Sequence, residues 1–298
     1  EPLKSQLNRE IGIGVWKATE LEAKMDNPHA VAIIDTSYDT INLEIKSLFI
    51  EGNYNKYDRT VPQTRWPCNS CKGYGCKKCN DTGQLYPDSV QSLVAEPFID
   101  AASCKEDLFH GMGREDIDAA MLGSGRPFVI ELRMPRVRNL DLSTIENQIN
   151  KKNESRIKVN NLKFVERSRV PELKNTVCDK TYRVDVSVFG EDSIESLKKG
   201  AQRLTGTVIE QRTPMRVSHR RADLVRPRLI NSIDVTSFEG NMAELIIRAQ
   251  HGTYIRELVS GDEGRTNPSF SSLVDATCKV EVLDVLNLHL DAKEEKND

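Results

Sequence analysis

The sequence predicts an α+β protein, and three observations carry that expectation. Stretches such as Thr181 to Phe189 alternate apolar and polar residues, the period of a strand with one buried face. Others, such as Ile194, Leu197, Ala201 and Leu204, repeat apolar residues at helical spacing. The chain has 298 residues, enough for two domains of roughly 150 each, and a tight cysteine cluster lies within the front third.

Composition narrows the class. Hydrophobic residues at 38% and charged residues at 29% describe a globular chain with a real core. No apolar run approaches the roughly 20 residues that span a bilayer, and no signal peptide is visible. The chain starts at Glu1 rather than methionine, so a segment is expected upstream. Seven cysteines, an odd number with four inside twelve residues, argue against a secreted disulfide framework and for a cytosolic chain with a metal site. The net charge of −3 argues weakly against a nucleic-acid partner, but local distribution matters more than the sum.

Along the chain, Val31 to Asp35 reads as a short strand, Ser37 to Asp39 as a turn, and Thr40 to Lys46 as an alternating strand. From Phe49 to Arg59 aromatics interleave with cations. Tyr54 and Tyr57 can stack on bases while Lys56 and Arg59 meet phosphate, or the stretch is an exposed loop after a strand. Cys68, Cys71, Cys76 and Cys79 form two C-x-x-C pairs four residues apart. That spacing puts four thiolates around one tetrahedral zinc, with Gly73 and Gly75 in the turns. Four thiolates leave no open position for water, so the metal is expected to be structural. Ser89 to Phe98 reads as a short helix or a connector.

The stretch His110 to Phe128 presents Asp116 and Asp118 in a polar loop framed by Gly111, Gly113, Gly123 and Gly125. It is either a mount for a catalytic carboxylate or an acidic surface turn. Gly111-Met112-Gly113 fails as a dinucleotide fingerprint, because Asp116 stands where the third glycine belongs and no buried strand precedes it. From Pro127 a half-buried strand follows, with Phe128, Ile130, Leu132 and Met134 on one face. Asn139 to Asn153 has a helical stripe of Leu142, Ile145 and Ile149, and Ile157 to Val165 reads as a strand.

In the strand Thr181 to Phe189, Tyr182 begins a buried row with Val184, Val186 and Val188, and the helix after it ends near Gly206. Residues 210–228 carry Arg212, Arg216, Arg220, Arg221, Arg226 and Arg228 against only Glu210 and Asp223. Arginine favours forked phosphate contacts, and Pro214 and Pro227 argue against one continuous helix. This patch is expected to bind an RNA backbone. Met242 to Ala249 reads as a strand that enters a helix through Gly252, placing Arg256 near the turn. Val280 to Leu288 closes the core, and Ala292 to Asp298 is a charged, frayed tail.

Three pieces then align. GRED at Gly113 to Asp116, KTYRV at Lys180 to Val184 and HGTYIREL at His251 to Leu258 resemble, in order and spacing, the motifs of pseudouridine synthases. With GREDID, GSGRPF, RVSHRRADLVR and GDEGRTNPS also present, the chain from about Ser89 to Leu290 resembles the archaeal-type tRNA pseudouridine synthase 10 family. The front looks like that family's THUMP-containing accessory region, although the further upstream C-x-x-C pair of family members is absent.

The resemblance implies two units. Residues 1–88 would be a small α/β RNA-binding accessory domain with its zinc module at 68–83. Residues 89–298 would be a catalytic domain on a mixed, mostly antiparallel sheet with flanking helices. It implies that Asp116, with Asp118 as its rival, is the nucleophile. Arg256 would lie beside Asp116, and Tyr182 would stack on the flipped uracil and assist loss of the C5 proton. Tyr254, Arg212, Arg216, His219, Arg220, Arg221 and Arg226 would bind the RNA. The expected reaction converts uridine 54, uridine 55 or both in the T-arm of tRNA, with no cofactor for catalysis and only structural zinc. A cytoplasmic monomer with tRNA as partner and no membrane association is expected. The alternative is a non-catalytic tRNA-binding or RNA-chaperone protein. A THUMP-linked methyltransferase is disfavoured by the lack of a glycine-rich cofactor motif.

Overall fold

The structure, a computed structural model, describes residues 2–290 apart from 22, 25, 191 and 192. The side chain of Arg220 and the expected tail from 292 to 298 lie outside the described residues. Helix α1 (Leu3–Thr19) precedes a hairpin of β1 (Ala30–Asp35) and β2 (Thr40–Ile45), matching the two front strands read from the sequence. The rest follows as β3 (Leu48–Lys56), α2 (Val90–Ala102), β4 (Glu106–Gly111), β5 (Ala120–Arg133), α3 (Leu142–Lys152), β6 (Ile157–Val165), α4 (Arg169–Asn175) and β7 (Asp179–Phe189). Then come α5 (Ile194–Leu204), β8 (Thr207–Arg212), β9 (Val225–Glu239), β10 (Met242–Ala249), α6 (Ile255–Ser260), β11 (Thr266–Asn267), α7 (Phe270–Val274) and β12 (Thr277–His289). The fold is α+β, as expected.

A ten-stranded sheet runs β11-β8-β9-β10-β7-β12-β5-β3-β6, with β4 paired to β5. Its pairings are antiparallel except where β12 meets β5, a short parallel seam matching Asp284 with Ala120 and Val285 with Met121. The seam divides the hydrophobic core in two. One cluster holds Ile50, Phe98, Phe128 and Ile149, the other Val184, Leu197, Leu258 and Phe270, and Tyr182 packs against both. The stripes read from the sequence are what these clusters bury. Ile145 and Ile149 of α3, and Leu197, Ala201 and Leu204 of α5, are buried. Each full-sized apolar side chain contributes about 1.5–3 kcal/mol by leaving water. Local signals fix the helix starts. Ser89 caps α2 reciprocally with Ser92, and Asp141 accepts the amides of Ser143 and Thr144 at the head of α3. The Thr144 and Ser143 hydroxyls, helped by those amides, hold the Asp141 carboxyl down to about 2.

Three expectations change. The boundary at residue 88 does not follow the sheet, because β3 is hydrogen-bonded between β5 and β6 and is part of the main body. Residues 49–56 are therefore a buried strand and not a base-stacking loop. Tyr54 and Lys56 are fully buried, out of reach of any base or phosphate, while Tyr57 is exposed. Finally, β5 begins at Ala120, so Gly123 and Gly125 belong to the strand and not to the acidic loop. A Cβ at Gly123 would collide with the Leu286 carbonyl on β12, and one at Gly125 would lie 2.8 Å from the Tyr54 carbonyl on β3. Glycine lets β5 thread between two close neighbours.

A candidate active site at the seam of the sheet

Asp118 stands two residues before β5 begins, so the acidic loop opens directly onto the parallel seam. Beneath it, Asp284 of β12 is fully buried. Its carboxylate accepts Arg59 Nη1 at 2.5 Å and Nη2 at 3.0 Å, Arg183 Nη2 at 2.6 Å and the Ala120 amide at 3.2 Å. Burial alone would raise its pKa, but the two guanidinium groups and the amide outweigh it and hold the carboxyl below its ordinary value. Arg59 also donates Nη1 to the Asp118 carbonyl at 3.0 Å, tying the loop to this buried carboxylate. Lys56 donates to the carbonyls of Ile117 at 2.6 Å, Val61 at 3.1 Å and Asp116 at 3.4 Å. The cations expected to meet phosphate hold loop carbonyls and the Asp284 carboxylate instead.

The opposite wall is the first turn of α6. Its entry needs Gly252, whose φ is +79° and whose Cβ position lies 3.2 Å from the Arg228 guanidinium. Gln211 clamps the Tyr254 backbone, accepting its amide at 2.7 Å and donating to its carbonyl at 3.0 Å. From this turn Arg256 donates Nη2 to Asp118 Oδ2 at 2.6 Å and Nη1 to the Val280 carbonyl at 3.3 Å. The expected partnership of Arg256 with Asp116 is thus corrected: its partner is Asp118. Consecutive helical residues diverge by roughly 100°. Glu257 therefore points elsewhere and accepts Arg216 Nε at 2.7 Å. Arg216 Nη1 in turn lies 3.5 Å from Asp116 Oδ2, and its guanidinium sits 5.9 Å from the Tyr254 ring centre. Glu257 is buried, and its Oε2 has no hydrogen-bond partner among the described residues.

Tyr182 lies on β7 opposite Val285, one residue along from Asp284. Burial pushes its phenol up to about 12 even though Arg126 pulls the other way. A phenol held protonated at neutral pH is suited to stacking and poorly suited to accepting a C5 proton. Its hydroxyl makes no hydrogen bond among the described residues.

The arginine segment is less free than its sequence implies. Pro214 and Pro227 do prevent one helix, and a 3-10 turn over Met215–Arg220 links β8 to β9. Arg212 is forked onto Asp223, with Nη2 to Oδ2 at 2.6 Å, and Arg265 joins the same carboxylate at 2.9 Å. Arg226 donates to the Thr213 hydroxyl at 3.1 Å. Arg216, expected on phosphate, faces Glu257 and Asp116. Their carboxylates arrive from α6 and the acidic loop, so counting charges within 210–228 could not find them. His219 and Arg221 remain exposed. Glu257, Asp284, Glu115 and Arg126 escaped the sequence reading as site residues, and Arg59 reads there only as a phosphate ligand. Glu257 stood beside Arg256 in a recognised motif, whereas the Arg59–Asp284 pair spans 225 residues and leaves no local signal.

The four cysteine sulfurs lie within 4.8 Å of one another, with Cys79 Sγ at 3.7 Å from Cys76 and 3.8 Å from Cys71. A tetrahedron with Zn–S bonds of about 2.3 Å has edges of about 3.8 Å, so the donor set fits one zinc ion. Gly75 N supports Cys71 at 3.2 Å, while Cys76 N and Gly83 N support Cys79 at 3.3 Å each. The module reaches the acidic loop: Arg114 lies 4.7 Å from the Trp66 ring centre, and Trp66 packs edge-on against Tyr86.

Comparison with known proteins places the chain in a family. The profile of the family described as Pus10, C-terminal, matches residues 49–289. A protein of Methanothrix thermoacetophila named tRNA pseudouridine synthase Pus10 is 44% identical over 97% of this chain and 64% of its own length. Relatives of the same name from Methanocaldococcus jannaschii and Methanothermobacter marburgensis are 46% and 42% identical. They are covered over 57% and 71% of their lengths, by 88% and 97% of this chain. The chain thus spans about three fifths of the first two. Among solved structures, a chain of a Cbf5-Nop10-Gar1 complex covers 80% of this one and is itself covered over 48%, with TM-score 0.46 and 13% identity, a likeness too loose to bear on function.

Proposed function

The chain belongs to the Pus10 C-terminal family, and from that premise we propose that it is a tRNA pseudouridine synthase acting on the T-arm, at uridine 54, uridine 55 or both. The carrying observation is the ion pair between Asp118 and Arg256 at 2.6 Å, at the mouth of the seam. The resemblance calls for a nucleophilic aspartate beside that arginine, and the partner of Arg256 is Asp118 in place of the expected Asp116. Asp118 is exposed, as a group that must meet a nucleotide has to be, while its carbonyl is fixed by Arg59.

The chemistry asked of it is an isomerisation. The Asp118 carboxylate attacks or deprotonates the ribose of a flipped uridine, and the C1′–N1 bond breaks. The uracil turns and a C1′–C5 bond forms as the Asp118–C1′ bond breaks or, in the deprotonation route, as Asp118 returns the C2′ proton. C5 then loses its proton and N1 gains one. Atoms and electrons balance within the nucleotide and the enzyme, so no cofactor enters. Tyr182 supplies an apolar platform for the base, and Tyr254 with Arg216 lines the cleft at the start of α6. Unstacking the target uridine costs a few kcal/mol. Exposed cations such as Arg221, together with the THUMP-like front, offset that cost by holding the surrounding RNA. The four cysteines would hold one structural zinc that orders residues 66–86 around Trp66. In this reading the protein works as a cytoplasmic monomer, where tRNA is modified. Incubating the chain with unmodified tRNA transcript and mapping pseudouridine tests the reading. Product at position 54 or 55 supports it, and tRNA binding without product favours an RNA-binding or chaperone role.

A further inference from the structure

The acidic loop rests on a buried ion pair that the chemistry above does not use. Arg126 of β5 and Glu115 of the loop are each 1% exposed at the side chain, with Arg126 Nε 2.8 Å from Glu115 Oε2. Arg126 Nη1 donates to the Met112 carbonyl at 2.7 Å. The Tyr54 hydroxyl lies 2.9 Å from both Glu115 oxygens, and Gln63 Nε2 donates to Tyr54 Oη at 2.8 Å and to the Gly113 carbonyl at 3.0 Å. With Lys56 on Asp116 and Ile117 and Arg59 on Asp118, side chains from β3 and β5 and the segment after β3 grip the loop at Met112, Gly113, Glu115, Asp116, Ile117 and Asp118.

Stability alone does not call for such a pair. Desolvating two ions costs several kcal/mol each, and well-packed apolar residues of like volume are often as stable or more so. What apolar residues lack is direction. Arg126 is held to Glu115 by charge at 2.8 Å and donates Nη1 to the Met112 carbonyl, while the Tyr54 hydroxyl donates to Glu115. These two directional bonds fix backbone height and rotation below the aspartates. We propose that Glu115 and Arg126 are positioning residues, a buried ion pair that aims the acidic loop so that Asp118 meets Arg256 and the ribose. Burial works against the Arg126 charge, but Glu115 keeps it firmly protonated. The proposal rests on the synthase reading but is tested apart from it.

The test replaces the pair by Glu115→Met with Arg126→Met in the chain as it stands. The melting temperature should be unchanged or higher, and tRNA affinity should stay within about threefold. The single-turnover rate at saturating tRNA should fall about 100-fold, the loss typical of a misplaced catalytic group. Amide exchange over residues 112–119 should quicken while the sheet stays protected. A folded double variant with native rate and native loop exchange overturns the proposal. If the double variant does not fold, Tyr54→Phe decides: a rate lowered about fivefold or more at unchanged affinity supports it, and an unchanged rate overturns it. If the unsubstituted chain makes no pseudouridine, the synthase reading fails. Exchange then decides alone, a loosened loop supporting the pair's positioning role and an unaltered loop refuting it.

Discussion

Arg256 and Glu257, neighbours in the first turn of α6, engage the two aspartates of the acidic loop by different routes. Arg256 meets Asp118 directly at 2.6 Å, whereas Glu257 holds Arg216, which lies 3.5 Å from Asp116. One helical turn therefore gives different partners to two carboxylates of which the resemblance favours Asp116. Asp118 receives the close, aligned partner. Asp116 receives the outer contact of a guanidinium already committed to a buried carboxylate.

That sorting separates two arginines once grouped together. Arg221→Ala should weaken tRNA binding and reduce the slope of log affinity against log salt by about 0.9, leaving the saturated rate unchanged. Arg216→Ala should lower the saturated rate several-fold and also the melting temperature, because Glu257 loses its partner while buried. Salt-dependent binding and single-turnover rates distinguish them. A pure affinity loss in Arg216→Ala would return that residue to the phosphate-binding group.

Asp284 predicts an acid sensitivity. Its folded pKa lies below its unfolded value of about 3.9, so its contribution is complete above that pH and is lost as pH falls through the folded value. Asp284→Asn leaves Arg59 and Arg183 facing a neutral amide and should cost about 1–3 kcal/mol at pH 7. The gap between the two proteins should narrow below about pH 4, measured by denaturant unfolding. A gap of equal size at pH 3 and pH 7 would show that Asp284 contributes no ionic stabilisation.

For the cysteine module, metal analysis of fresh protein should give about one zinc per chain. Cys79→Ser should lose the metal and open residues 66–86 to proteolysis, since Cys79 collects two backbone amides besides the metal it would bind. Trp66 carries Arg114 of the acidic loop, so chelation should also slow the reaction, and Arg114→Ala should make the rate less sensitive to chelator. Zinc-free protein with an intact, protease-resistant module would refute a metal role.

Much of this molecule was legible in its sequence because local periodicity reports burial. Val184, Val186 and Val188 and the Leu197, Ala201, Leu204 stripe are buried where the pattern put them, and Tyr182 at the head of its row is half-buried. The cysteine spacing likewise specified a compact four-sulfur site. What misled was side-chain chemistry read without its neighbours. Tyr54, Lys56 and Arg59 look like RNA ligands in a row of aromatics and cations. Instead they meet Glu115, loop carbonyls and Asp284, groups distant along the chain. The extra reach of β5 was hidden by Gly123 and Gly125, which read as loop because close strand packing and turns both select glycine. That Arg256 pairs with Asp118 and not with Asp116 depends on how α6 meets the seam, which no local pattern reports.

The most direct test of the account is single-turnover pseudouridine formation on unmodified tRNA by Asp118→Asn and Asp116→Asn, with tRNA affinity measured alongside. Asn keeps the shape of each side chain and removes its charge and nucleophilicity. The account predicts that Asp118→Asn binds tRNA normally and forms no detectable pseudouridine, while Asp116→Asn retains at least about a tenth of the rate, the loss of an outer contact being worth about 1.4 kcal/mol or less. Loss of all product in Asp116→Asn with near-normal product in Asp118→Asn would contradict it, and would return the nucleophile to the aspartate that faces Arg216.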